Sequence, residues 1–175
     1  YMLRQLGPCL ASNKRDRSIA FLDAPIDSPQ EAAAFDALFG DTTNRCMQNF
    51  VSATLVRAWV RGVVAEGLFK DAMRDWPEGT VPAIEEPESI ASIHDFARCY
   101  VAQDFAAARG LIEETRLGDK SELARMRELA PTFGPCMPQG SQIALKPMNI
   151  RMALAEALYH ATRNPGAARL PGQSD

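Results

Sequence analysis

Apolar residues recur along this chain at helical spacing. Over residues 90–102, Ile90, Ile93, Ala97 and Val101 fall three or four positions apart, which puts them on one face of a helix. Asp104 is placed to N-cap a second run, Phe105 to Glu114, whose inward side is Ala108, Leu111 and Ile112. Gly118-Asp119 breaks the pattern, which resumes from Ser121 to Leu129 with Leu123, Met126 and Leu129 inward and Pro131 as the stop. A longer apolar helix opens with Pro147, a residue suited to a first helical turn, and runs to about His160. An earlier counterpart covers about Ala53 to Met73. Alternating Val/Ile/Thr/Tyr runs bounded by hairpin turns are missing, so the pattern predicts an all-α chain.

The pattern also repeats. A shift of 90 residues places Cys9 on Cys99, Cys46 on Cys136, Met47 on Met137 and Leu55 on Leu145. The same shift puts Arg61 on Arg151, Ala65 on Ala155, Glu66 on Glu156 and Leu68 on Leu158. With one inserted residue in between, Glu31, Ala33 and Leu38 fall on Glu122, Ala124 and Leu129. The expected architecture is two tandem copies of a three- to four-helix unit, residues 1–73 and 90–162, packed about a pseudo-twofold axis. Residues 74–89, rich in Pro and Glu, read as a linker, and residues 163–175 as a flexible tail. The period of 90 and the missing Trp-Leu-Gly-Tyr positions separate the chain from tetratricopeptide arrays.

Each copy carries two cysteines 37 residues apart. No Cys-x-x-Cys is present, and the only histidines, His94 and His160, are not equivalent under the shift, so the pattern predicts neither a metal site nor a redox pair. The repeat favours the disulfides Cys9–Cys46 and Cys99–Cys136, each clamping the first helix of a copy to the connection before its last helix. Such a loop closure is worth on the order of 3–4 kcal/mol in the chain-entropy model. The exchanged pairing, Cys9–Cys136 with Cys46–Cys99, and four buried free thiols remain the alternatives. Disulfides imply an oxidising compartment, and the expected location is periplasmic or secreted. The first residue is Tyr1, with no charged-then-apolar leader, as expected where a signal peptide has been removed or the start trimmed.

Composition narrows the partners. The chain has 46% hydrophobic and 23% charged residues and a formal net charge of −3, which gives no basic footprint for nucleic acid. The most apolar stretch, Phe50 to Phe69, contains Arg57, Arg61 and Glu66, so it reads as a buried helix and not a membrane span.

Candidate chemistry is sparse. Arg61, Glu66, Arg151 and Glu156 recur inside the most apolar helices, and a pseudo-twofold axis would pair Arg61 with Glu156 and Arg151 with Glu66. These four are expected to form a structural inter-repeat polar cluster. No nucleophile elbow, phosphate-binding loop or zinc-protease motif occurs, and no cofactor is expected. Trp59 is expected in the core, whereas Trp76, in the linker beside Glu78, Glu85, Glu86 and Glu88, packs back on the domain or anchors a partner. The leading expectation is a non-enzymatic extracytoplasmic protein that binds other proteins or serves as an accessory subunit. One alternative is a small-molecule or lipid carrier with a pocket lined by Met47, Met73, Met137, Met148 and Met152. Another is a hydrolase using Glu66 and Glu156 as paired carboxylates.

Overall fold

Short polar side chains set where the helices begin. The Ser28 hydroxyl accepts the Glu31 amide, and Asp104 accepts that of Ala107. Ser92 and Asp95 form a reciprocal capping box, which starts a helix at Ile93 and not at Ile90 as the periodicity suggested. Ile90 still packs on the core from just outside that helix.

The computed structural model describes residues 2–40, 45–47, 55–138, 145–163 and 168–169. It is 74% helical. Helices α1 (Met2–Asn13), α2 (Arg15–Asp23) and α3 (Pro29–Phe39) lead through a 3-10 turn at Arg45–Met47 to the long α4 (Arg57–Arg74). Helices α5 (Ile93–Gln103), α6 (Phe105–Glu114) and α7 (Lys120–Leu129) then lead through a 3-10 helix, Ala130–Cys136, to α8 (Pro147–Thr162). The expected start of α4 at Ala53 and most of the expected tail lie outside the described residues. Within the segment expected as a tail, Ala168–Arg169 pairs antiparallel with Val81–Pro82. Pro131 does not end the α7 segment outright, because the chain tightens into the 3-10 helix around it.

The core is built on the contact of α4 with α8, the most extensive among the described elements; α1 packs against α4 and α5 against α8. Val60, Val64 and Leu68 of α4 and Ile150, Leu154 and Leu158 of α8 are all buried there. The α1–α4 approach is close because glycines make it so. A methyl group at Gly7 would overlap the backbone carbonyl of Val63, and one at Gly67 would press on Ala11 and Gly7. Where α4 meets α8, Gly62 lies directly against Met152.

Disulfides join Cys9 to Cys46 and Cys99 to Cys136, and among the described residues no cysteine is free. No helix among the described residues is long and apolar enough to cross a membrane.

Two expected core residues are not in the core. Trp59 is 37% exposed in the first turn of α4, which begins at Arg57, and its Nε1 reaches Asn149 of α8; burial along the helix starts at Val60. Leu123 is 44% exposed, and Glu122 takes the inward position beside it. An ion displaces the leucine there because a buried arginine on α8 lies opposite.

The glycine contacts predict that Gly7→Ala destabilises the protein by about 1–3 kcal/mol or more, since the clash is with backbone and not with a movable side chain. Urea titration at neutral pH checks this, and an unchanged midpoint would mean that α1 and α4 have room to separate.

Candidate functional site

Helix C-termini leave carbonyls without intrahelical partners, and inside a core water cannot supply them. The C-terminal ends of α2 and α6 are both buried against the long helices, and an arginine meets each. Arg61 Nη1 and Nη2 donate to the carbonyls of Phe21 and Leu22 at 2.8 and 2.6 Å. Arg151 Nη1 and Nη2 donate to those of Leu111 and Ile112 at 3.1 and 3.2 Å. A cation at this end is also favoured by the helix dipole. Arg61 is 3% exposed and Arg151 fully buried.

Two such charges need anions, and each helix supplies one to the other. Arg61 Nε donates to Glu156 Oε1 at 2.8 Å, while Arg151 Nε and Nη2 grip both oxygens of Glu66 at 3.0 and 2.9 Å. A second carboxylate joins each cluster: Glu31 Oε1 at 3.2 Å from Arg61, and Glu122 Oε1 at 3.8 Å from Arg151. Glu31 and Glu122 are held by the turns before their helices, where Asp27 (φ 60°) and Gly118 (φ 70°) donate their backbone amides to the carboxylates. The periodicity of α3 and α7 gave no hint of these two residues, but their recurrence under the shifted register did.

The clusters differ in how their carboxylates are satisfied. Lys70 Nζ lies 2.6 Å from Glu66 Oε1, so with Arg151 both Glu66 oxygens are engaged. Glu156, 5% exposed, has His160 Nε2 at 3.6 Å from the same Oε1 that Arg61 holds, and His94 Nδ1 at 3.9 Å from Oε2. The latter distance is too long for a hydrogen bond, and among the described residues Oε2 accepts none. Burial pushes the Glu156 carboxyl up, but His160, Arg61 and His94 together outweigh it and hold the group below the ordinary glutamate range. Glu122 behaves oppositely. Burial exceeds the effect of the Gly118 amide and of Arg151, which is already committed to Glu66, and holds its carboxyl above that range.

A cleft opens beside each cluster. The smaller, about 210 Å³, is lined by Arg4, Pro8, Val63, Glu66 and Lys70, with Thr115–Leu117 as its far wall. The larger, about 990 Å³, is lined by His94, Arg98, Ala153, Glu156 and His160, each 90 residues later, with Ala24–Ile26 across from them. Arg4 Nε donates to the Leu117 carbonyl across the small cleft, and Leu117 packs with Val63 and Met152. Across the large one the shorter His94 makes no such bridge, Ala153 stands where Val63 stands, and Ile26 is 42% exposed against 6% for Leu117.

The other predicted residues are placed as follows. Trp76 is half-buried against the core, with its Nε1 buried and without a hydrogen-bond partner among the described residues. The five methionines do not gather: Met47 and Met73 join the main core, Met148 and Met152 pack near Val63, and Met137 borders a separate apolar groove with Met126 and Leu145. Glu66 and Glu156 line different clefts, whereas paired-carboxylate hydrolysis needs both carboxyls on one bond. Among the described residues no group of three or more His, Cys, Asp or Glu is arranged to hold a metal ion. Both histidines, at positions that carry Arg4 and Lys70 in the earlier register, belong to the large cleft and were not recognised from sequence as site residues.

No protein-family model, curated protein or solved structure matches this chain.

Removing Arg61 as Arg61→Met leaves Glu156, Glu31 and two carbonyls short of a donor, with an expected loss of about 3–5 kcal/mol. A double-mutant cycle with Glu156→Gln is expected to show coupling of about 0.5–3 kcal/mol, and additive losses would contradict the pairing. A pH dependence follows from the Glu156 carboxyl. A group held below its unfolded value stabilises the fold above the ordinary glutamate value near 4.5 and loses that contribution as pH falls through its lower folded value. Urea titrations from neutral to acid pH should therefore show the stability gap between the parent and Glu156→Gln closing below 4.5.

Proposed function

We propose that this chain is a duplicated helical unit, residues 1–73 and 90–162 joined by 74–89, and that it acts outside the cytoplasm as a non-enzymatic binding or accessory protein whose partner enters the large cleft. The duplication is supported by contacts that recur at the offset of the sequence register. Arg61 and Arg151 reach carbonyls 90 residues apart, and Gly62 faces Met152 and Trp59 faces Asn149, as residues flanking a pseudo-twofold axis do. Glu31 with Asp27 and Glu122 with Gly118 recur at the offset of 91 that one inserted residue requires. Location outside the cytoplasm is supported by the two disulfides.

One observation carries the binding reading: of two clefts at corresponding positions, one is bridged and filled while the other is open over about 990 Å³. That volume lies at the upper end of the range for ligand pockets. The open cleft sets an apolar wall, Ala24-Pro25-Ile26, against a lining rich in charged groups, so a bound molecule would find both a surface to pack on and groups to orient it. A proton-donor role for Glu156 is not favoured, because its carboxylate is paired with Arg61 and held below the ordinary glutamate range.

A photo-crosslinking residue at Ile26 tests the reading in the native source. The expected result is an adduct mapped to the cleft that disappears in His94→Arg/Ala153→Val, which rebuilds the filled cleft. Adducts that persist in that variant, or a probe at Ile26 that captures nothing, would overturn it.

A further inference from the structure

The charges around the open cleft do not balance. Four carboxylates line it, Asp23, Asp27, Asp95 and Glu156, against three guanidiniums, Arg61, Arg98 and Arg163. Each guanidinium is committed. Arg98 is 2.8 Å from Asp95, Arg163 is 3.6 Å from Asp23, and Arg61 is shared between Glu156 and Glu31. Asp27 makes no ion pair among the described residues.

Glu156, a residue of the lining that is itself 5% exposed, has Oε1 held by Arg61, and its Oε2 accepts no hydrogen bond among the described residues. In the corresponding closed cleft the matching oxygens are saturated, since Lys70 and Arg151 take both sides of Glu66. The open cleft therefore has the carboxylate of the closed one with histidines 3.6 and 3.9 Å away where the closed one has a lysine at 2.6 Å. Glu156 Oε2 has no hydrogen bond and is not among the fully buried unpartnered atoms, so a donor entering from the cleft can reach it, and a bond from a charged donor to a carboxylate is among the stronger ones.

Resting on the reading of this cleft as a binding site, we propose that it takes a primary alkylammonium group, whose N–H donors complete Glu156 Oε2 between His94 and His160. The attached carbon chain lies along Pro25 and Ile26, the exposed apolar wall opposite. An ammonium is a compact cation with three donors on a flexible stem, which suits one free carboxylate oxygen with imidazoles beside the same carboxylate. The same chemistry is offered by a small free amine and by a lysine side chain of a protein partner.

Titration of n-butylammonium chloride into the ¹³C-methyl-alanine-labelled protein, followed by NMR at neutral pH, tests the proposal. Saturable shifts confined to the methyls of Ala24, Ala153 and Ala157 are expected, with n-butanol, the uncharged analogue, binding about tenfold or more weakly. Nα-acetyl-lysine-N-methylamide separates the sources: binding as tight as that of the amine assigns a lysine side chain, and binding of the amine alone assigns a small molecule. Glu156→Gln is expected to weaken the amine by about tenfold or more. Because that variant disturbs Arg61, His94→Arg provides a second measurement with Glu156 intact. There the cation is supplied in cis, and amine binding is expected to vanish while the melting transition stays cooperative. Equal shifts from butanol, no saturation by either amine, or full binding in His94→Arg would overturn the proposal. An uncharged molecule crosslinked at Ile26 would overturn it too, while leaving the broader binding reading intact.

Discussion

Each of the two long helices carries one buried arginine, and the placement of the other helices depends on what that arginine has to satisfy. The C-terminal carbonyls of α2 and α6 are turned inward, where water does not reach them, and a guanidinium offers enough donors in a fixed fork to serve two carbonyls and a carboxylate together. The carboxylate comes from the opposite long helix in both cases. One interaction thus fixes where α2 ends against α4, where α6 ends against α8, and how α4 and α8 cross. A hydrophobic contact alone would leave that crossing free to slide, and buried ions that must all be met at once restrict it. The disulfides act elsewhere, tying the outer helices α1 and α5 to the segments before α4 and α8.

Much of this was legible before any coordinates. Helical periodicity located α6 to the residue and α5, α7 and α8 to within a few, and the register of 90 singled out one disulfide connectivity among three. The reciprocal approach of Arg61 to Glu156 and Arg151 to Glu66 corresponds to polar residues standing at matched places inside apolar helices, where burial without a partner is costly. Trp59 and Leu123 were misplaced for a common reason. Periodicity reports which face a residue is on, but not how far along the helix its neighbours extend or whether a charge has prior claim on the inward position. Glu122 takes that position because Arg151 lies opposite, a fact that no window within α7 contains.

The cleft was not legible at all. Its walls come from the turn after α2, from α5 and from α8, segments far apart in sequence, and its width depends on differences between corresponding positions. A search for repeats rewards identity and passes over the places where the two registers differ. Arg4 against His94, Val63 against Ala153 and Lys70 against His160 are such places, and they face the same two clefts.

The asymmetry also explains how one frame can hold an open site without losing its packing. On the closed side, Gly7 and Gly67 let α1 sink onto α4, and the Arg4 bridge and the packing of Leu117 with Val63 and Met152 fill what remains. On the open side, the corresponding residues on α5 and α8 are Ala97 and Ala157, whose methyl groups keep the helices from approaching as closely. What is given up there is local: Ile26 gains solvent, and Glu156 keeps one oxygen uncommitted. The Arg61 cluster beneath stays bonded to α2 and Glu31, so the floor of the cleft is tied to its neighbours while its mouth is open. An acceptor whose carboxylate is already fixed by hydrogen bonds under an accessible opening demands little ordering of the protein when a donor arrives.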